Sequence, residues 1–187
     1  MPKFLLLPVA VLLFSFSAFA QPNRWQQRIK YTMDVNMDVM SNRLNGTQKI
    51  EYTNNSPDTL HRMFVHLYWN AFQPNSMMDV RSRELGKKII GNNRQDWDGR
   101  VRDRISKLND AEIGYQRVKT FKVNGVLQTT VEHETILEVK LSKPILPKQK
   151  VLIETNFEAQ VPVQIRRSGR DAANGVKFSM AQWYPKV

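Results

Sequence analysis

The chain has 187 residues, 28 Lys and Arg against 17 Asp and Glu for a net charge of +11, three histidines and no cysteine. The missing cysteines exclude disulfides, thiolate metal sites and a cysteine nucleophile, so packing alone must hold the fold. The charge invites a nucleic-acid reading, but between Arg81 and Lys107 the basic residues alternate with Glu84, Asp96, Asp98 and Asp103. Interleaved signs mark a solvated surface, whereas phosphate tracking favours a concentrated basic stripe. The net field suits an anionic envelope surface better than nucleic acid.

Residues 1–20 read as a secretory signal: Lys3 at the start, an apolar run from Phe4 to Phe14 broken only by Pro8, and Ala18-Phe19-Ala20 before Gln21. A membrane anchor is the competing reading. A helix over residues 4–20 would reach only about 25 Å at ~1.5 Å per residue, short of a bilayer core of about 30 Å. The expected product is exported, periplasmic or extracellular, with no span after signal cleavage and one domain over residues 21–187.

Residues 29–39 predict a strand, because Ile29, Tyr31, Met33, Val35, Met37 and Val39 share one parity and polar residues the other. Asn45-Gly46 predicts a turn, followed by a strand over 47–54 with Ile50 and Tyr52 inward. Asn54-Asn55-Ser56-Pro57-Asp58 is turn chemistry. Residues 63–69 carry bulky groups on both parities and predict a more fully buried strand. Residues 115–123 and 126–132 read as a hairpin on the type I′ dipeptide Asn124-Gly125. Further strands are expected over 136–141 and 151–161, separated by Pro144 and Pro147, and over 176–181 after Asn174-Gly175. Short polar turns between strands imply an all-β domain of antiparallel sheets. The exception is a long irregular insertion around 70–114, which has no sustained period; only 103–113 suggests a short helix.

Chemistry is sparse. His61 and His66 would point to opposite faces of one strand, and His133-Glu134-Thr135-Ile136-Leu137 begins like H-E-x-x-H but lacks the second imidazole. Ser168-Gly169 lies in a polar loop without a nucleophile elbow, and no glycine pattern cradles phosphate. Glu132 and Glu134 share a face of an expected strand, and Asn45-Gly46-Thr47 matches a glycosylation sequon. Hence no catalytic residue and no metal ligand is expected in this chain. The remaining cluster is Gln182-Trp183-Tyr184, whose bland reading is a strand-end cap beside two core aromatics.

Four runs carry a resemblance: residues 52–60 (YTNNSPDTL), 66–74 (HLYWNAFQP), 160–171 (QVPVQIRRSGRD) and 178–186 (FSMAQWYPK). Together they resemble the N-terminal β domain of exported bacterial M1-family zinc aminopeptidases. The resemblance implies twisted sheets in a saddle-like β-sandwich, packed on a later catalytic domain that carries H-E-x-x-H, zinc and the hydrolysis of N-terminal peptide bonds. Such a partner would lie beyond Val187, so zinc belongs to a complete parent enzyme and this chain alone is expected to be inactive. The family's T/S-Q-x-Q/E segment falls on Ser179-Met180-Ala181-Gln182. That assigns to Gln182 the binding of a peptide's α-amino group, with Trp183 and Tyr184 as further candidates for contact with substrate. The chain departs from the pattern at Met180, where relatives have a first glutamine, and in lacking the alanine-arginine pair that usually follows. An open apolar patch around Trp183 and Tyr184 is expected where the second domain would dock. The alternative is a stand-alone exported β-sandwich that binds peptide, glycan or envelope surface.

Overall fold

The computed structural model describes residues 25–187, so the signal expected over 1–20 lies outside the described residues. The fold is all-β and antiparallel. Its larger sheet has five strands in the order β1 (Arg28–Asp38), β2 (Arg43–Thr53), β10 (Lys150–Gln160), β6 (Tyr115–Val123) and β7 (Val126–Leu127). Its smaller sheet orders β3 (Leu60–His66), β9 (Ile136–Ile145) and β8 (Thr129–His133). Among the described residues no helix is long and apolar enough to cross a membrane.

The two sheets share one core. Ile50, Tyr52, Phe121, Val123, Val151 and Ile153 of the larger face Met63, Val65, Leu137, Val139 and Ile145 of the smaller. The strands differ in reach, which determines everything else. β1, β2 and β10 have 11 residues each, whereas the smaller sheet has 10 in its central β9 but only 7 and 5 in the flanking β3 and β8, so the larger sheet overhangs the flanks of the smaller. A second core fills that overhang, where Leu44, Phe157 and Ala159 meet Trp69, Phe72, Val101 and Ile105 from the insertion.

The insertion is therefore the cover of the uncovered end. It contains a 3-10 turn (Tyr68–Phe72), a helix α1 (Met77–Gly86), a hairpin of β4 (Ile89–Ile90) and β5 (Arg94–Gln95), and a second 3-10 turn (Ile105–Lys107). The helix expected over 103–113 reduces to that last turn, and α1 is a helix that apolar periodicity did not reveal.

The strand readings hold over β1, β2, β6, β9 and β10, with four differences. Asn45-Gly46 is not a turn: it lies within β2 opposite Val35 and Asn36, and residues 39–42 make the turn instead. The run 63–69 is not one doubly buried strand, since Phe64 is exposed and Trp69 belongs to the 3-10 turn. The run 126–132 splits at the buried Gln128, whose Nε2 donates to Val126 O while its Oε1 accepts from Ser142 N; β7 stays with β6 and β8 moves to the other sheet. The strand expected over 176–181 shortens to β12 (Phe178–Ser179), paired with β11 (Gly169–Arg170). Asn124 (φ 48°) and Gly125 (φ 80°) do adopt the paired positive φ of a type I′ turn.

Candidate functional site

Residues 181–187 are fastened into the domain by buried polar groups. Trp69 Nε1 donates to Ala181 O at 3.1 Å and to Ser168 Oγ at 3.0 Å. Gln116, wholly buried, donates through Nε2 to Gln182 O at 2.9 Å and accepts from Trp69 N through Oε1 at 3.4 Å. Gln48 Nε2 donates to Pro185 O at 3.2 Å. His66 and Lys186 exchange main-chain bonds of 2.7 and 3.1 Å. Tyr31 Oη accepts from Val187 N at 3.0 Å and donates to Val187 O at 3.3 Å. Burial pushes the Tyr31 phenol up to about 12, against the opposing pull of its bond to Val187.

Within this fixed segment Gln182 adopts φ 56°, a left-handed conformation that costs a residue with a Cβ roughly 1 kcal/mol or more. Its backbone is pinned while its side chain is exposed. It borders a cavity of about 530 Å³ whose walls include Tyr68, Phe72, Met78, Ile136, Arg166 and Arg167. That volume falls within the roughly 300–1,000 Å³ usual for small-ligand sites.

Trp183 and Tyr184 do not line this cavity. Both are half-buried in the second core, with Trp183 6.4 Å from the Phe157 ring, Tyr184 5.5 Å from Tyr31, and 5.1 Å between the two (centroid distances). Val35 and Met37 of the edge strand β1 are half-buried against the same core, and Tyr31 against the first. The two aromatics thus serve the core, whereas the Gln182 side chain is exposed.

The other candidates separate. His61 is exposed, His66 stacks on Tyr68 at 5.0 Å, and His133 Nε2 lies 3.6 Å from Glu138. Among the described residues no group of three or more metal-ligating side chains is assembled. Glu132 and Glu134 do not share a strand face, because Glu134 (φ 50°) occupies the β8–β9 turn. Their carboxylates dock the insertion: Glu132 accepts from Asn70 Nδ2, and Glu134 from Met77 N at the start of α1. Burial raises the Glu132 carboxyl above its ordinary value. Ser168 Oγ donates to Ser179 O and accepts from Trp69, which is structural use. Arg166 and Arg167 were not singled out from the sequence, although they lie within the run 160–171. A pair of adjacent arginines in a polar loop has no sequence feature that separates a cavity wall from a solvated surface.

No protein-family model and no curated protein matches this chain. Solved structures do. One is an M1 zinc metallopeptidase from Deinococcus radiodurans, at 12% identity and TM-score 0.47, covering 86% of this chain and 27% of that one. A point mutant of the enzyme from that organism, bound to a Tyr-Ser-Ala substrate, matches at 14% identity and TM-score 0.46 over 84% of this chain and 27% of its own. A two-domain M1 zinc metallopeptidase mutant bound to L-arginine matches at 12% identity and TM-score 0.47, over 87% and 28%. The chain thus spans about a quarter of the length of the structures it matches.

Proposed function

We propose that this chain is the N-terminal β domain of an exported M1-type zinc aminopeptidase, and that Gln182 receives the α-amino group of the peptide to be shortened. The four contiguous runs named above support the family. The observation that carries the site is Gln182 itself: a pinned backbone, an exposed amide, and a ligand-sized cavity at its side. An ammonium donates charge-assisted hydrogen bonds, and an amide oxygen accepts them without competing for the proton. An internal peptide N–H brings no such charge, so the contact selects chain ends.

The described residues include no set that fits a zinc ion, and no step of hydrolysis is assigned to them. The part taken by this chain is binding and orientation, with the peptide bond held for chemistry supplied by another domain. Residues 1–20 then direct the protein out of the cytoplasm.

Two experiments test the reading. The coding sequence after Val187 is expected to continue in frame into H-E-x-x-H; a stop codon there overturns the enzyme reading and favours the stand-alone binding module. In the two-domain protein, Gln182→Ala is expected to lower kcat/KM on aminoacyl substrates about tenfold or more, the loss expected for one charge-assisted hydrogen bond. An unchanged value removes Gln182 from the site.

A further inference from the structure

Arg166 and Arg167 both line the cavity that Gln182 borders, and among the described residues no carboxylate lines it. Arg166 is the unusual member. Its Nε is buried without a hydrogen-bond partner among the described residues. Arg170 Nε is buried and unpaired as well, but its terminal nitrogens bond Asp171 and Ala111 O, while Arg83 is engaged on Asp79 and Arg104 on Gln164 O. Arg166 also borders the adjoining cavity, but the acids there have other partners. Asp98 holds Arg100 by hydrogen bonds and feels the Arg166 charge only through space, and Glu134 accepts from Met77 N.

A guanidinium donor withdrawn from water and left unpaired is unfavourable, and a carboxylate satisfies it through two parallel bonds. The rest of the wall is apolar, from Tyr68, Phe72, Met78 and Ile136. The cavity thus offers an acceptor for an ammonium, an apolar wall, and donors for a carboxylate.

We propose that Arg166, with Arg167 beside it, binds a carboxylate of the peptide whose ammonium Gln182 accepts, so that the site prefers short or acidic peptides over long neutral ones. This rests on the amine-binding role of Gln182. The carboxylate comes either from the end of a dipeptide or from an acidic side chain at the second position.

The test uses the full chain and four probes, with affinities taken from titrations followed by NMR: Leu-Leu, Leu-Leu-amide, Leu-Glu-amide and acetyl-Leu-Leu. At least one carboxylate ligand is expected to bind about tenfold more tightly than Leu-Leu-amide, the increment of a charged hydrogen bond. A gain with Leu-Leu identifies the chain end as the source, and a gain with Leu-Glu-amide the side chain. Arg166→Met is expected to erase the gain and Arg166→Lys to keep part of it, with thermal midpoints showing that both variants fold. Equal affinity for the three amine-bearing probes, a gain that survives Arg166→Met, or no binding of any probe at millimolar concentration overturns the proposal. Acetyl-Leu-Leu isolates the premise: if acetylation changes nothing while the carboxylate still counts, the Gln182 role falls and the arginine site stands. The reverse pattern removes the arginine site alone.

Discussion

In the larger sheet the ring of Phe157 lies where a side chain at position 46 would begin. A Cβ on Gly46 would stand 2.5 Å from Phe157 Cε1 and 3.1 Å from Val35 Cγ2. Phe157 is itself buried, so any shift of its ring disturbs the core around it. Gly46→Ala is therefore expected to destabilise the fold by about 1–3 kcal/mol through overpacking. Urea denaturation of the single mutants and of Gly46→Ala/Phe157→Leu checks this, because the smaller partner should absorb the methyl and make the pair cost less than the sum. The same glycine explains a misreading. Asn-Gly signals a turn when glycine is needed for its backbone freedom, and here it is needed for its missing volume, a cause visible only once Phe157 is opposite. Gln116 acts at the same scale. Its amide serves Trp69 N and Gln182 O at once, so Gln116→Leu leaves the part-buried Gln182 O without this donor and Trp69 N unpaired in a buried site, at an expected cost of about 1–3 kcal/mol. Hydrogen exchange should speed up over 181–187 before it does elsewhere; uniform exchange would show that this amide does not hold the segment.

At the level of elements, legibility followed the chemistry of the buried face. β1 alternates apolar and polar residues along its length, and its burial alternates in step. Helix α1 hides because its buried residues are Asp79, Ser82 and Gly86, which give no apolar stripe to read. What replaces the stripe is polar bonding: Ser76 Oγ accepts from Asp79 N, Ser82 Oγ donates to Arg102 O, and Asp79 holds both Asn75 N and the Arg83 guanidinium. The spacing Ser76-x-x-Asp79 was the available signal, a capping pair without the apolar run that normally follows it. Asp79→Ala removes the acceptor for Asn75 N and frees Arg83, which keeps part of its charge in water because its side chain is 38% exposed. A loss of roughly 1–3 kcal/mol is expected, with proteolysis appearing first within the insertion. Asp79→Asn, which keeps one acceptor, should lose less. If Asp79→Ala were as stable as the wild type, the insertion would be held by its other contacts, the packing of Trp69, Phe72, Val101 and Ile105 and the bonds to Glu132 and Glu134.

Across the whole molecule, the two sheets, the insertion and the run 181–187 converge on one end, and Tyr31 ties the edge strand β1 to the last of these. The candidate cavity was not legible in sequence for that reason: Tyr68 lies about a hundred residues from Arg166 and Gln182, and the segments are joined by the buried bonds of Trp69 and Gln116. Tyr31 gives this convergence a pH dependence with a definite sign. Burial raises its phenol from 10.0 to about 12 in the folded protein. Between those values the unfolded chain releases the proton and the folded chain keeps it, so the unfolded state binds fewer protons and stability must fall as pH rises. The effect is absent below the unfolded value and complete above the folded one. Denaturation midpoints measured across this window should therefore drop more steeply for the wild type than for Tyr31→Phe, which keeps the ring against Tyr184 and removes the proton. Phenolate absorbance should show one tyrosine fewer titrating late in the variant. Parallel slopes in the two proteins would mean that Tyr31 is open to water and that β1 does not hold Val187 in place.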